Sequence, residues 1–524
     1  MDQSNGSSSR VQVDEERATE RTPLLPHARS PTNAPSQDDP PLPPIEPTVL
    51  RLLSDSILDV SLSEAWCPRE LPSEDIKTAF MLAVLLRLNV LINEAANSGL
   101  YRAGDLSQQL SEELNLASKL RNVEHAIDEI WDSYKRRRPS SAELEDVLWT
   151  AFPLKEETRL KTLRVIDLLG GMYAPKHILA ERFVYVSLLR TWKRGRAKRD
   201  RKPGVLAYIS YLLDLVCAPR VLHLLDLFLQ IAFMLGLVSY VLQPMDEPAE
   251  STLTLSPTLR EILLTIYSYS QVLQPWRLTT VPFILTALAF TSSFPTIPHP
   301  DGIAYGVLLL ALIVHLVLLH APHTPSPVYL FPPPKALPLA TLVWHGISKV
   351  YLPVLLFFFP AVLFAFYLLS ISLLDDLPGY LWTVGTATAV DPAPMETRTA
   401  FLILLTVIFV LLIITALLLV LTYPTLSSNP PPATWDRFSL SIGLEARRAF
   451  VDVVKTYNPP SDYFPPPFNL ASILFYDLPV FLLSRVRWHD RAEQWYRTRT
   501  ILWKMLVQPV ILVFGVFFAW GYFS

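Results

Sequence analysis

Residues 222–243 read LHLLDLFLQIAFMLGLVSYVLQ, from Leu222 to Gln243. A helix needs about 20 predominantly apolar residues to cross the hydrocarbon core of a bilayer, and this stretch supplies them. Further apolar runs follow at 259–275, 278–295, 303–321, 350–374, 400–423 and 503–523. The run at 259–275 differs from the rest. Arg260, Glu261 and several Tyr and Ser residues make it amphipathic, so it is expected to pack inside a bundle.

The charges between these runs set a direction. Segments 244–258 and 296–302 carry Asp246, Glu247, Glu250 and Asp301 but no Lys or Arg. The 276–277 turn carries Arg277, and 322–349 carries Lys335 and Lys349. Loop 375–399 holds Asp375, Asp376, Asp391 and Glu396 against Arg398. Segment 425–502 is rich in arginine, including Arg437, Arg447, Arg448, Arg485, Arg487, Arg491, Arg497 and Arg499. Cytoplasmic loops carry an excess of Lys and Arg, so six spans with a cytosolic N-terminus satisfy the pattern. Removing the amphipathic second span would invert every later loop and break it. The run at 503–523 has Trp503 and Lys504 at one end and Trp520 and Tyr522 at the other, which suits a further span. A re-entrant or surface-lying helix is the alternative.

Composition agrees with this reading. The 524 residues are 51% hydrophobic and only 18% charged, with mean hydropathy +0.30; a soluble domain carries about 25% charged residues. Two cysteines, Cys67 and Cys217, supply neither a disulfide framework nor a thiolate metal cluster. The polar N-terminus has no cleavable signal peptide pattern. The expected class is therefore an all-α polytopic membrane protein: a six-span helical bundle plus a C-terminal hydrophobic helix, with a cytosolic N-terminal helical domain.

Residues 1–45, rich in Ser, Pro, Asp and Arg, are expected to be a disordered tail. Within them Glu20-Arg21-Thr22-Pro23-Leu24-Leu25 fits the acidic dileucine pattern that sorting adaptors read on cytosolic tails; chance is the competing account of so short a match. Residues 46–202 read as a cytosolic helical domain. Phe80, Val84, Leu85, Leu88 and Ile92 recur at helical spacing. Arg87 and Asn89 interrupt that run and argue against a span. Leu106, Leu110 and Leu114 give a second stripe, and Ser140 with Glu143 forms a capping box. The cap explains Ser140 better than the basophilic kinase pattern of Arg137-Arg138-Pro139-Ser140 does. The basic run Lys193 to Lys202 is read first as a topology determinant, then as an anionic-lipid contact. No element for reading nucleic acid accompanies it, so nucleic acid is not an expected partner.

The remaining segments are taken as 203–424 for the six spans, 425–502 for a cytosolic segment and 503–524 for the C-terminal hydrophobic helix. No phosphate loop, zinc-protease helix or nucleophile elbow is present. No enzyme activity, cofactor or metal is expected. His315 and His320 fall on the fourth run. Ionisable residues in spans are often functional, which makes them proton-relay candidates. A neutral histidine at a packed interface or boundary is the preferred account of His320, and His315 stays open.

The architecture resembles the fungal vacuolar TRP-type cation channels, the yeast vacuolar conductance family. The likeness rests on Cys217-Ala218-Pro219-Arg220 before the first span and on Leu259-Arg260-Glu261-Ile262 opening the second. It rests also on Leu100-Tyr101-Arg102-Ala103-Gly104-Asp105-Leu106-Ser107-Gln108-Gln109-Leu110. The best stretch is Tyr457-Asn458-Pro459-Pro460 with Pro467-Phe468-Asn469-Leu470, followed by an apolar run ending Leu478-Pro479-Val480-Phe481.

The resemblance implies a tetrameric, calcium-permeable channel of the vacuolar membrane whose fifth and sixth spans line the pore. Its partners would be membrane lipids, further copies or a related channel in a homo- or hetero-oligomer, and a sorting adaptor. The filter candidates are Thr383, Val384, Gly385 and Thr386, with Asp391 as a lumenal acid ring. Loop 375–399 is short for a pore helix plus filter, and no acid follows Gly385 closely; an ordinary lumenal loop competes with a filter. Thr415 and Pro360 are gate candidates, and Asp246, Glu247 and Glu250 are lumenal calcium-sensing candidates. A non-conducting paralogue acting as scaffold or modulator is the alternative. A secondary transporter ranks last, because no internal repeat or broken helix is visible.

Overall fold

The structure, a computed structural model, describes residues 42–54, 66–68, 71–99, 106–154, 162–195, 217–242, 259–274, 277–292, 302–319, 321–323, 325–353, 403, 410, 414, 418, 434–485 and 489–523. All of them fall in one compact unit formed by Leu42–Ala197 and Gly204–Ser524. The fold is all-α. Among the described residues the strands are a two-residue antiparallel pair, β1 (Phe152–Pro153) with β2 (Thr162–Leu163).

The N-terminal part holds α1 (Glu46–Ser54), α2 (Glu74–Gly99), α3 (Leu106–Arg136), α4 (Ser141–Trp149), α5 (Val165–Leu169), α6 (Lys176–Ala180) and α7 (Arg182–Arg194). Helix α2 is its axis. Every residue from Thr78 to Leu86 is buried, with Leu88, Asn89 and Ile92 beyond them. A helix apolar on all sides must be covered on all sides, and α1, α3, α4 and α5 supply the cover. Asn89 closes its polar end by donating to the Tyr173 carbonyl at 3.1 Å. The capping box at α4 forms as expected: the Glu143 amide donates to Ser140 Oγ at 3.3 Å, and the Ser140 amide donates to Glu143 Oε2 at 2.8 Å. The second stripe differs from expectation. Leu114 is 70% exposed, because α3 continues to Arg136 and buries a later face through Val123, Ile127, Ile130 and Trp131.

Four helices follow: α8 (Pro219–Leu242), α9 (Leu259–Val272), α10 (Val281–Ser292) and α11 (Gly302–Leu319). They correspond to the first four apolar runs. Each packs on the next, and α11 returns to α8, closing a bundle. Helices α8 and α9 are antiparallel. Phe233 stacks on Tyr267 at 4.9 Å, and Arg260 Nη1 donates to the Ser239 carbonyl at 3.2 Å. Between these contacts a Cβ on Gly236 would lie 3.3 Å from Leu264 Cδ2, so the glycine permits the close approach. Helix α10 runs parallel to α8, with Phe283 against Phe233 at 5.2 Å and Phe290 against Tyr240 at 5.5 Å.

Further helices among the described residues are α12 (Pro333–His345), α13 (Leu440–Thr456), α14 (Asn469–Ser472), α15 (Leu478–Arg485) and α16 (His489–Phe523). A π turn, Ile473–Asp477, joins α14 to α15. The expected run at 503–523 is thus the later part of a longer helix. α16 packs against α8, with Phe514 meeting Phe228 at 5.5 Å, and its Trp503 donates to the Tyr463 carbonyl.

Two apolar cores result. One joins α1–α7 to the start of α8, α12, α13 and α16; the other lies inside the α8–α11 bundle. By length and composition two described helices can cross a membrane, Glu74–Asn97 within α2 and Pro219–Leu242. The first is enclosed by protein as described above. The shorter apolar helices include Leu278–Ser292 and Gly306–Leu319.

Candidate functional site: a buried polar junction

The junction is built where α8 begins. His223 and Asp226 are three residues apart and so share one face of the helix. Both are buried, with 0% and 1% of their surface exposed. Asp226 Oδ2 accepts the Tyr457 hydroxyl at 2.9 Å and also the Tyr463 hydroxyl. Hydrogen bonds to an ionised carboxylate are roughly twice as strong as neutral ones. His223 Nε2 lies 3.0 Å from the Ser326 carbonyl, which can only accept, so Nε2 carries the ring proton. Its Nδ1 lies 3.4 Å from the Tyr457 hydroxyl, whose proton goes to the nearer Asp226. Trp192 of α7 closes the site, with its ring 5.5 Å from His223 and 6.3 Å from each of Tyr329, Phe450 and Tyr457.

The sequence after α13 explains why it can act as a strap. Pro459, Pro460, Pro465, Pro466 and Pro467 remove backbone donors and forbid a continuous helix. The chain turns through a 3₁₀ segment, Pro460–Asp462, and leaves carbonyls free to accept. Arg164 donates to the Asn458 carbonyl at 3.2 Å, Arg499 to the Asp462 carbonyl at 2.6 Å and Trp503 to the Tyr463 carbonyl at 3.0 Å. Asn469 then donates to the Ser270 carbonyl at the end of α9, at 2.6 Å. Residues 457–469 therefore tie α5, α8, α9 and α16 together at one end of the bundle.

Charged groups collect at this end. Arg277 lies within electrostatic reach of Asp226, His323 and Asp452. Burial pushes the Asp452 carboxyl above its ordinary value, with Lys455, Arg277 and His323 opposing it. Burial pushes His323 below the usual imidazole range, with Asp452 acting against that. Asp452 packs over Gly170, where a Cβ would lie 2.3 Å from Oδ1. His345 and Glu445 pair at 3.6 Å between α12 and α13.

The bundle keeps a set of polar side chains inside beside its apolar core and turns an apolar surface outward. Gln230, Glu261, Ser268, Gln271, Thr286 and His315 are buried. Phe228, Leu235, Ile262, Leu263, Leu288, Leu310, Ile313 and Leu316 face outward. Glu261 Oε1 pairs with Arg260 at 3.0 Å. His315 sits between Phe233 and Phe283, at 5.8 and 5.1 Å, and neither ring nitrogen has a hydrogen-bond partner among the described residues. A proton relay needs such a partner, so among the described residues no relay through His315 is assembled.

The filter and acid-ring candidates Thr383, Val384, Gly385, Thr386 and Asp391 lie outside the described residues. So do the gate candidates Thr415 and Pro360, the lumenal acids Asp246, Glu247 and Glu250, the sorting motif Glu20, Leu24 and Leu25, and His320. The junction was not foreseen from sequence. Its available signal was His223 and Asp226 inside an otherwise apolar run, since ionisable residues are expensive there. The stretch on which the family resemblance best rests, Tyr457–Leu470, is the strap itself. No protein-family model matches the chain, and no curated protein sequence matches it.

Proposed function

We propose that this chain is a multi-pass membrane protein of the TRP type: a calcium-permeable cation channel of the vacuolar membrane with six spans, a cytosolic N-terminus and four copies around the pore. The observation that carries the membrane part is the apolar outer surface of the bundle α8–α11. Each large apolar side chain left in water forfeits about 1.5–3 kcal/mol of burial, and extended apolar surface marks a membrane or partner contact. Lipid chains cover those faces at no such cost, while the polar side chains stay inside.

The positive-inside pattern supports the orientation. Arg277, residues 325–345, α13 and the strap gather at one end of the bundle, the end that the loop charges assign to the cytosol. The junction would couple this cytosolic assembly to the first span, so that movement of the segment following the sixth span is felt by α8 and by α7. The pore itself rests on the family resemblance and on Thr383–Thr386 and Asp391. The short 375–399 loop, with no acid close behind Gly385, favours a second reading, a non-conducting subunit that modulates a related channel.

Reconstitution of the purified chain into calcium-loaded liposomes separates the two. A channel releases calcium in a protein-dependent manner, and replacing Asp391 with Asn lowers that release. No flux from the chain alone, together with recovery of flux when a related channel is added, leaves the modulator reading standing and removes the channel.

A further inference from the structure

The helix made by α14, the π turn and α15 lies in the 425–502 segment that the charge pattern assigns to the cytosol. Its surface is not that of a cytosolic helix. Leu474, Phe475, Leu478 and Leu482 are 57%, 54%, 47% and 55% exposed. They fall at i, i+1, i+4 and i+8, which is one helical face. Tyr476 points the other way and is buried, with the Arg499 guanidinium 5.3 Å above its ring. That contact fixes which face is turned out.

Two observations say what covers the exposed face. The helix begins at the bundle: Asn469 donates to the Ser270 carbonyl at the end of α9, so the helix that carries the apolar strip starts beside one end of α8–α11, whose outer surface is itself apolar. The strip is followed at once by Arg485, Arg487, Trp488 and Arg491. Arg and Trp are residues of the headgroup layer, the first paired with anionic lipid and the second amphipathic.

We propose that residues 469–485 form a monotopic helix seated in the cytosolic leaflet of the bilayer. Its Leu474, Phe475, Leu478 and Leu482 face lies about 5–10 Å into the headgroup and acyl boundary. The helix thereby makes the strap and the Asp226 junction sensitive to the lipid beside them. This inference rests on the membrane reading of the bundle.

The test uses the full chain in vesicles of zwitterionic and anionic phospholipid, with and without brominated acyl chains. A bimane fluorophore is placed on Leu478→Cys, on Leu474→Cys as a second position, and on Leu235→Cys, which faces outward from α8. Cys67 and Cys217 are buried, and the parent protein gives the labelling background. The expected result is quenching by brominated chains at Leu478 and Leu474 as well as at Leu235, with little quenching by aqueous iodide. Quenching at Leu235 alone overturns the proposal and leaves the membrane reading intact. In that case iodide quenching at Leu478 means a water-facing helix, and protection from both quenchers means a contact between copies. No quenching at Leu235 overturns the membrane reading itself, and this proposal with it.

Discussion

Asp226 shows how much one residue can carry. It sits in an apolar run, is 1% exposed, and receives two tyrosine hydroxyls from a segment more than 200 residues away in sequence. A buried hydrogen bond to a charged group is worth about 1.5–3 kcal/mol. Tyr463→Phe is expected to lower the unfolding free energy by about that amount, and Tyr457→Phe by a similar amount. The two should not add simply, because both hydroxyls serve one oxygen. Adding Asp226→Leu to the double variant removes the stranded carboxylate, so stability should recover in part. Thermal unfolding of the detergent-solubilised protein reads all of these, and a Tyr463→Phe variant that melts with the parent would show that the bond holds nothing.

At the scale of the element, α13 links α12 and the Thr434–Asp436 turn to α5, α6 and α7. Gly443 lies in its first turns against the 3₁₀ turn Thr434–Asp436, where a Cβ would meet the Trp435 carbonyl at 2.7 Å and Asp436 Oδ1 at 2.1 Å. Asp436 is held by both terminal nitrogens of Arg447, at 2.8 and 3.0 Å, and cannot move aside freely. Gly443→Ala should therefore be destabilising by about 1–3 kcal/mol, as overpacking usually is, although alanine is the better helix former. A melting temperature equal to or above the parent would contradict the close contact.

Elements of this kind mark what sequence could and could not reveal. The stripe Phe80 to Ile92 and the Ser140–Glu143 cap were legible, because both follow from local spacing. The ends of α8–α11 were legible within a few residues, because long apolar runs have sharp edges. Helix α12 hides from sequence: its prolines, including Pro333, Pro334 and Pro338, resemble loop punctuation, yet the first two fill an N-terminal turn where missing amides cost nothing. The junction was not legible. It joins Trp192, His223, Ser326, Tyr457 and Tyr463, and no local period links positions so far apart. The filter, gate and sorting residues lie outside the described residues, so their expectations stand where the sequence left them.

At the scale of the whole molecule, the account depends on the apolar face of the bundle lying in lipid, with successive connections on opposite sides. Single-cysteine variants at Asp246 and Lys335, labelled in sealed right-side-out vesicles with a membrane-impermeant maleimide, test that most directly. The account predicts that the two positions label from opposite sides, with Lys335 reached only from the cytosolic side. Labelling of both from one side would contradict the six-span map and the channel that rests on it.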